Sequence, residues 1–274
     1  MSTISWQLSG LKLIANHIQE KCGIQYSDNL QSLESKIRKR LAELGLSHWE
    51  YANLLSGDSG EWDYLLPLVT INETYFFRED HQLKELTDYV LPHLKIKGEL
   101  KVWSAACSTG DEPYSIAMSI AESLPSFLPS VRILATDIDD KVLQAAKRGW
   151  YSKSSLSFRR ISQNLLERYF ESDETGFRVK SGIKERVAFS RVNLLEEEDM
   201  RSISEVDVIF CRNVLIYFNA ETTKQIITSF CKRLNPGGYL FLGHAETISG
   251  WFPELETIHA KDTFYYRKKG GVHE

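Results

Sequence analysis

Short apolar runs separated by helical segments, from Leu100 onward, constrain this chain more than any other feature. The runs are Leu100–Ala106, Val131–Thr136, Val187–Val192, Val206–Cys211 and Tyr239–Gly243, and helical patterns lie at Pro113–Ser123, Lys141–Arg148 and Ala220–Leu234. Alternation of this kind requires a mostly parallel sheet with helices on both faces. Parallel neighbours need a long crossover, and a run that is apolar throughout must be covered on both sides. Two last candidate strands, Glu254–His259 and Phe264–Arg267, are too close in sequence for a helical crossover, so an antiparallel hairpin is expected to end the sheet. A short strand at Phe177–Lys180, with a turn at Ser181 and Gly182, reads as a small hairpin extension over about residues 176–189.

The first 70 residues read differently. Leu11, Ile14, Ile18 and Cys22 fall on one helical stripe that stops at Gly23, and Leu33, Ile37, Leu41 and Leu44 on a second that stops at Gly45. Trp49–Leu55 and Trp62–Val69 suggest two further helices, parted by the turn-rich run Ser56–Gly60. The expected organisation is a helical N-terminal domain over residues 1–70, a linker and first helix over 71–98, and a doubly wound, mostly parallel α/β domain over 99–274. On the second helix Lys36, Lys39 and Arg40 share a face, which suits either a solvated surface or a dock for an acidic partner.

With a net charge of −4, the chain has no global basic field to gather nucleic acid. No apolar run reaches membrane-spanning length and the start is short and polar, so a cytoplasmic protein with no direct membrane insertion is expected, as a monomer. Cys22, Cys107, Cys211 and Cys231 are scattered, and no histidine pair has metal-binding spacing, which predicts reduced thiols and no metal site.

In an open α/β sheet, ligands bind beyond the carboxyl ends of the strands. The first such strand ends in Ala105-Ala106-Cys107-Ser108-Thr109-Gly110-Asp111-Glu112-Pro113, a loop of small residues that opens into a helix. It has neither GxGxxG nor GxxxxGK[ST], and Asp111 and Glu112 set two carboxylates where a pyrophosphate would need bare donors. Two anions suit a sulfonium or ammonium ligand; they equally suit the helix dipole. The second strand ends at Asp137, placed to accept ribose hydroxyls, while Asp139 and Asp140 suit the cap of the next helix.

The stretch Trp103–Met118, WSAACSTGDEPYSIAM, closely resembles the cofactor loop of the CheR family, the chemotaxis-receptor glutamate methyltransferases. Thr70–Glu79, Asp207–Phe218, Pro236–Glu246, the Ala135–Asp139 run and Val192–Leu195 resemble the same family in the same order, so the likeness covers nearly the whole chain. It implies a Rossmann-like class I methyltransferase domain that uses S-adenosylmethionine and leaves S-adenosylhomocysteine, with methyl-accepting chemotaxis receptors as partners. It also implies residue roles. Asn72, Thr74 and Arg78 contact the cofactor; Glu112 holds its amino-acid part, Asp137 its ribose, and Asn193 and Leu194 lie beside its adenine. Arg212, Asn213 and Tyr217 line the transfer site, with Arg78, Arg212 and Tyr217 as the catalytic group. From the residues alone, Asn193 and Asn213 would pass for strand-end turn residues and Tyr217 for a core aromatic. Tyr75, Phe76, Phe77, Tyr217 and Phe218 are suited to excluding water, and Lys36, Lys39 and Arg40 to steering an acidic receptor surface.

The chain departs from the family pattern at Ala245, where serine is usual, and at Asp111, where glutamate is common. The compact Glu171–Gly176 loop argues against a receptor-tail tether. A methyltransferase of another acceptor, such as nucleic acid or a small molecule, is one alternative; base-amino methyltransferases commonly show [DN]PP[YF] near the fourth strand, where this chain has CRNVLIYF. A non-catalytic adenosylmethionine-binding module is the other alternative.

Overall fold

The computed structural model describes residues 3–57, 60–94 and 98–270; residues 58–59 of the turn-rich run lie outside it. Four helices come first: α1 (Thr3–Cys22), α2 (Leu30–Leu44), α3 (His48–Ser56) and α4 (Trp62–Val69). Their ends follow the sequence. Gly45 closes α2 in the left-handed conformation, its N–H on the carbonyls of Leu41 and Ala42, and Ser47 with Glu50 forms a capping box at the start of α3. The apolar stripes, among them Ile14, Ile18, Leu33, Ile37, Tyr51 and Leu65, close on one another as a core of their own.

A segment without regular structure, residues 70–79, leads to α5 (Asp80–Glu85), a π-helical turn at Leu86–Val90 and α6 (Leu91–His93). The α/β part then runs β1 (Leu100–Ala105), α7 (Asp111–Ser123), β2 (Val131–Asp137) and α8 (Asp140–Arg148). A small unit follows, made of β3 (Trp150–Ser152), α9 (Gln163–Tyr169), β4 (Phe170–Ser172), β5 (Gly176–Val179) and α10 (Ser181–Lys184). The chain returns through β6 (Val187–Arg191), α11 (Glu197–Ser202), β7 (Val206–Cys211), α12 (Ala220–Arg233), β8 (Leu234–Leu242), β9 (Leu255–His259) and β10 (Phe264–Lys268).

The large sheet has seven strands in the order β6-β2-β1-β7-β8-β10-β9. Its first five are parallel, while β10 pairs antiparallel with both β8 and β9. One core packs on each face: Val102, Ile133, Phe210 and Phe241 on one side, Trp103, Ile209, Leu240 and Leu242 on the other. The strand order reverses direction between β1 and β7, which places the ligand-binding crevice of such a sheet beyond Ala105 and Cys211.

The expected hairpin over 176–189 takes another form. β5 pairs antiparallel with β3 and β4 in a separate three-stranded sheet, Ser181 and Gly182 begin a helical turn, and β6 joins the large sheet beside β2. Val179, Ile183 and Phe170 are buried in the core under α7, so the segment folds inward instead of turning back on itself. The β4–β5 turn is tight. Asp173 accepts the N–H groups of Thr175 and Gly176 and the indole N–H of Trp150, and a Cβ at Gly176 would meet the Trp150 ring at 2.5 Å. Among the described residues no helix is long and apolar enough to cross a membrane.

Candidate active site

A cleft of about 950 Å³, open solvent at its mouth included, lies at the strand reversal. Its floor is the loop after β1, Ala106 to Ser108, with Asp137 and Ile138 after β2. Val192 to Leu195 after β6 form one wall, and Arg212 to Val214 with Tyr217 and Phe218 after β7 form another. Ile71 to Thr74 and Arg78 close a third side. Backbone strain concentrates here: Ala106, Ser108 and Asn213 all hold positive φ, as do Phe77 and Glu79 just outside, a pattern typical of functional sites. Gly110 also has positive φ (90°), and a Cβ there would come within 2.9 Å of Ala146 on α8. The loop can therefore turn only if this position is glycine.

Asp137 is buried. Its Oδ2 accepts the Ser108 N–H at 2.8 Å and its Oδ1 the Asp139 N–H at 3.0 Å. Burial pushes its pKa up to about 6, against the pull of those two amides. Glu112 sits at the first turn of α7, with Oε1 accepting from the Ser104 hydroxyl at 2.7 Å and Oε2 from Arg212 Nε at 2.7 Å. The Arg212 guanidinium, 2 % exposed, also donates to the Arg78 carbonyl at 2.7 Å. Arg212 thus ties the β7 end to the start of α7 and to residues 70–79. Asp111 does not share the cleft with Glu112. It turns into the protein, where it accepts from the Thr109 hydroxyl, and burial raises its pKa. Successive residues at a helix start point in different directions, so only one of the two acids can face the ligand side.

The structure brings Asn72, Thr74, Arg78, Glu112, Asp137, Asn193, Leu194, Arg212, Asn213 and Tyr217 to this one cleft. Among the aromatics, Tyr217 and Phe218 line it. Phe76 instead fills a core of Tyr151, Phe158 and Phe170, and Tyr75 packs under the Arg159 guanidinium at 3.7 Å. The Tyr217 hydroxyl makes no hydrogen bond among the described residues, and burial raises its pKa. Lys36, Lys39 and Arg40 stand apart from the cleft. Arg40 is spent inside the fold on Glu61, at 2.9 and 2.7 Å, and Lys36 donates to the Leu68 carbonyl. Lys39 is 90 % exposed, with Glu43 at 3.9 Å.

Several contributors escaped the sequence reading. Cys22 and Ile24, at the end of α1 and just beyond, line the cleft. Gln25 donates to the Tyr217 carbonyl and Asn193 Nδ2 to the Lys21 carbonyl at 2.7 Å, so the helical N-terminal part is fastened to two cleft walls. Gln82 is buried and bonds the Leu242 carbonyl at 2.7 Å. These contacts join residues more than a hundred positions apart, and no local pattern announces them.

Residues 72–263 match the family described as CheR methyltransferase, SAM binding domain. "Chemotaxis protein methyltransferase 1" of Pseudomonas aeruginosa is 36% identical over 263 residues, which covers 92% of this chain and 95% of that protein. "Chemotaxis protein methyltransferase" of Escherichia coli is 37% identical, over 86% of this chain and 83% of that one. "Probable chemotaxis protein methyltransferase" of Rhizobium etli is 35% identical, over 92% and 98%. Matched in its cleft-forming region by the family and along almost all its length by these relatives, the chain belongs to the CheR methyltransferase family.

Proposed function

We propose that the chain transfers the methyl group of S-adenosylmethionine to glutamate side chains of methyl-accepting chemotaxis receptors, giving glutamate methyl esters and S-adenosylhomocysteine. The observation that carries the reading is one cleft holding two acidic side chains, Asp137 and Glu112, beside an uncommitted Tyr217 hydroxyl. The residues present suit the donor. Asp137 keeps lone pairs for ribose hydroxyls beyond its two amide bonds, and Glu112 likewise keeps acceptor capacity for an ammonium group. Asn213 has a buried Oδ1 without a partner, an acceptor open to a ligand N–H. Asn193 and Leu194 would lie beside the adenine, and Asn72, Thr74 and Arg78 line the same cleft and would complete the donor site.

Bound in this cleft, S-adenosylmethionine supplies an electrophilic methyl group on a sulfonium. The chain has little acid–base work left to do. A glutamate carboxylate, with an unperturbed pKa of about 4.3, is ionised near neutral pH and is already a nucleophile. An anion meets a cation and charge is lost on the way to the transition state, so a wall that excludes water favours the reaction. Tyr217, neutral near pH 7 like any phenol, donates a hydrogen bond that orients the acceptor carboxylate. Arg212 works through Glu112, holding it in place. Arg78, at the cleft rim with one Nη on the Glu73 carbonyl, keeps further N–H groups to position a carboxylate. Lys39 is the cation of the α2 face best exposed to steer an acidic receptor surface.

The test is transfer of a tritiated methyl group to purified receptor, followed by mild base. Volatile methanol released from the receptor is the expected result, because carboxyl esters hydrolyse that easily. Label that resists base, or label on no receptor at all, would refute the assignment.

A further inference from the structure

Glu246 lies just beyond β8 and is 4 % exposed, yet no basic side chain pairs with it among the described residues. Its carboxylate accepts four main-chain N–H groups instead. Oε2 takes those of Gly243 at 2.6 Å and Asn213 at 2.8 Å; Oε1 takes those of Val214 at 2.8 Å and Ile216 at 3.3 Å. Three of the four belong to the loop after β7, which carries Tyr217. A loop beyond a strand end has no ladder to satisfy its amides, and a carboxylate is the one side chain with acceptor sites enough for four of them.

The geometry points to Glu246 as the positioning residue for Tyr217, an inference that rests on the catalytic reading given above. The chain of contacts is short. Glu246 fixes the Val214 N–H, and the Val214 carbonyl accepts the Tyr217 N–H at 3.1 Å in the turn Leu215–Tyr217. On its far side the Tyr217 carbonyl accepts from Gln25 at 3.2 Å. The same carboxylate holds Asn213 in its positive-φ conformation (61°), where Asn213 Nδ2 reaches Glu79 Oε1 at 3.2 Å. A second feature shows how closely the clamp is built. A Cβ on Gly243 would stand 2.8 Å from both Asn213 Nδ2 and Glu246 Oε2, so the carboxylate can close on the loop only across a glycine. Glu246 does not itself line the cleft; it holds the wall that does, and so sets where the Tyr217 hydroxyl points.

The test is a set of four proteins: native, Tyr217→Phe, Glu246→Gln and the double variant. Each is assayed for methyl-ester formation on receptor, and for S-adenosylhomocysteine affinity by calorimetry. The amide of Gln would set an N–H against main-chain N–H groups, freeing the loop. The expected result is a fall in kcat on the order of 100-fold for Glu246→Gln, the size of loss a displacement of about 1 Å produces. The KM for receptor should stay near native, and product affinity should fall by far less than kcat, the part of the loss carried by Asn213 on the same loop. The double variant should fall no further than the worse of the two single variants, because a tyrosine already without its hydroxyl has nothing left to misplace. Native kcat in Glu246→Gln, or losses that multiply in the double variant, would overturn the inference. If Glu246→Gln shows no cooperative melting, Glu246→Asp enters the same set; it keeps the charge and withdraws it by one methylene, and multiplying losses there overturn the inference equally. A Tyr217→Phe protein with native turnover would overturn the catalytic reading itself, a failure visible before Glu246 is changed.

Discussion

Burial and two main-chain amides pull the acidity of Asp137 in opposite directions, and burial wins. A carboxyl whose pKa rises from 3.8 to about 6 on folding holds its proton more tightly folded than unfolded. Its contribution to stability is therefore complete below its unfolded pKa and is lost as pH rises through about 6. Ligand binding runs the other way, since the ionised form is the better acceptor of ribose hydroxyls. Calorimetry with S-adenosylhomocysteine from about pH 8 down to about pH 5 should show affinity falling as Asp137 takes up its proton. Asp137→Asn should bind more weakly at about pH 8, approach native at about pH 5 and lose that pH dependence; an unchanged slope in the variant would place the titrating group elsewhere. Asp137 was legible in the sequence because it ends an apolar run, and the topology of such sheets then fixes where the end lies. The inward turn of Asp111 was not, since two adjacent acids at a helix start look alike until the helix is placed. Glu246 was silent for another reason: its partners are backbone amides, three of them some thirty residues earlier, and backbone leaves no mark in a sequence.

At the level of elements, α2 divides its cations between two jobs. Arg40 and Tyr51 both bond Glu61, and these bonds hold its carboxyl below the usual range. Arg40→Ala would leave Glu61, 7 % exposed, without its cation, so a clear drop in melting temperature is expected. Lys39→Ala removes only an exposed charge and should shift the melting point by no more than about 1 °C. The same variant should weaken receptor binding at low salt and match native at high salt, where exposed charges are screened. Salt-independent binding by the native chain would exclude the steering role. The segment 70–79 has no helix or strand, yet it is firmly seated, with Phe76 fully buried among three aromatic rings. Phe76→Ala should cost about 3–5 kcal/mol in chemical denaturation and also weaken donor binding, because Asn72 and Thr74 ride on the same segment. Helix stripes and strand runs were readable because each is periodic. The small β extension was legible only as a hairpin, because β5 is short and its partners, β3 and β4, both precede it in sequence.

Across the whole molecule, the cleft draws on α1, residues 70–79 and the ends of four strands, so no single part of the chain holds the site alone. A ligand bound there bridges the helical and α/β parts. At about 100 times its Kd, S-adenosylhomocysteine should stabilise the native state by about 2.7 kcal/mol, and protect the α1–α2 junction from proteolysis along with the sheet. Ile24→Trp should fill the cleft and weaken donor binding while the core of the large sheet stays intact; unaltered affinity would mean that Ile24 lies outside the occupied volume. The four cysteines carry a further consequence. All are buried thiols whose acidity is suppressed, Cys22 to a pKa of about 11 and Cys231 to about 12, with Cys107 and Cys211 also well above the usual value. A thiol reagent can reach each one only when its surroundings open. They are spread over the last turn of α1, the donor loop, the end of β7 and α12, so the order in which they are alkylated gives a built-in clock for which region of the enzyme breathes first, with no label introduced.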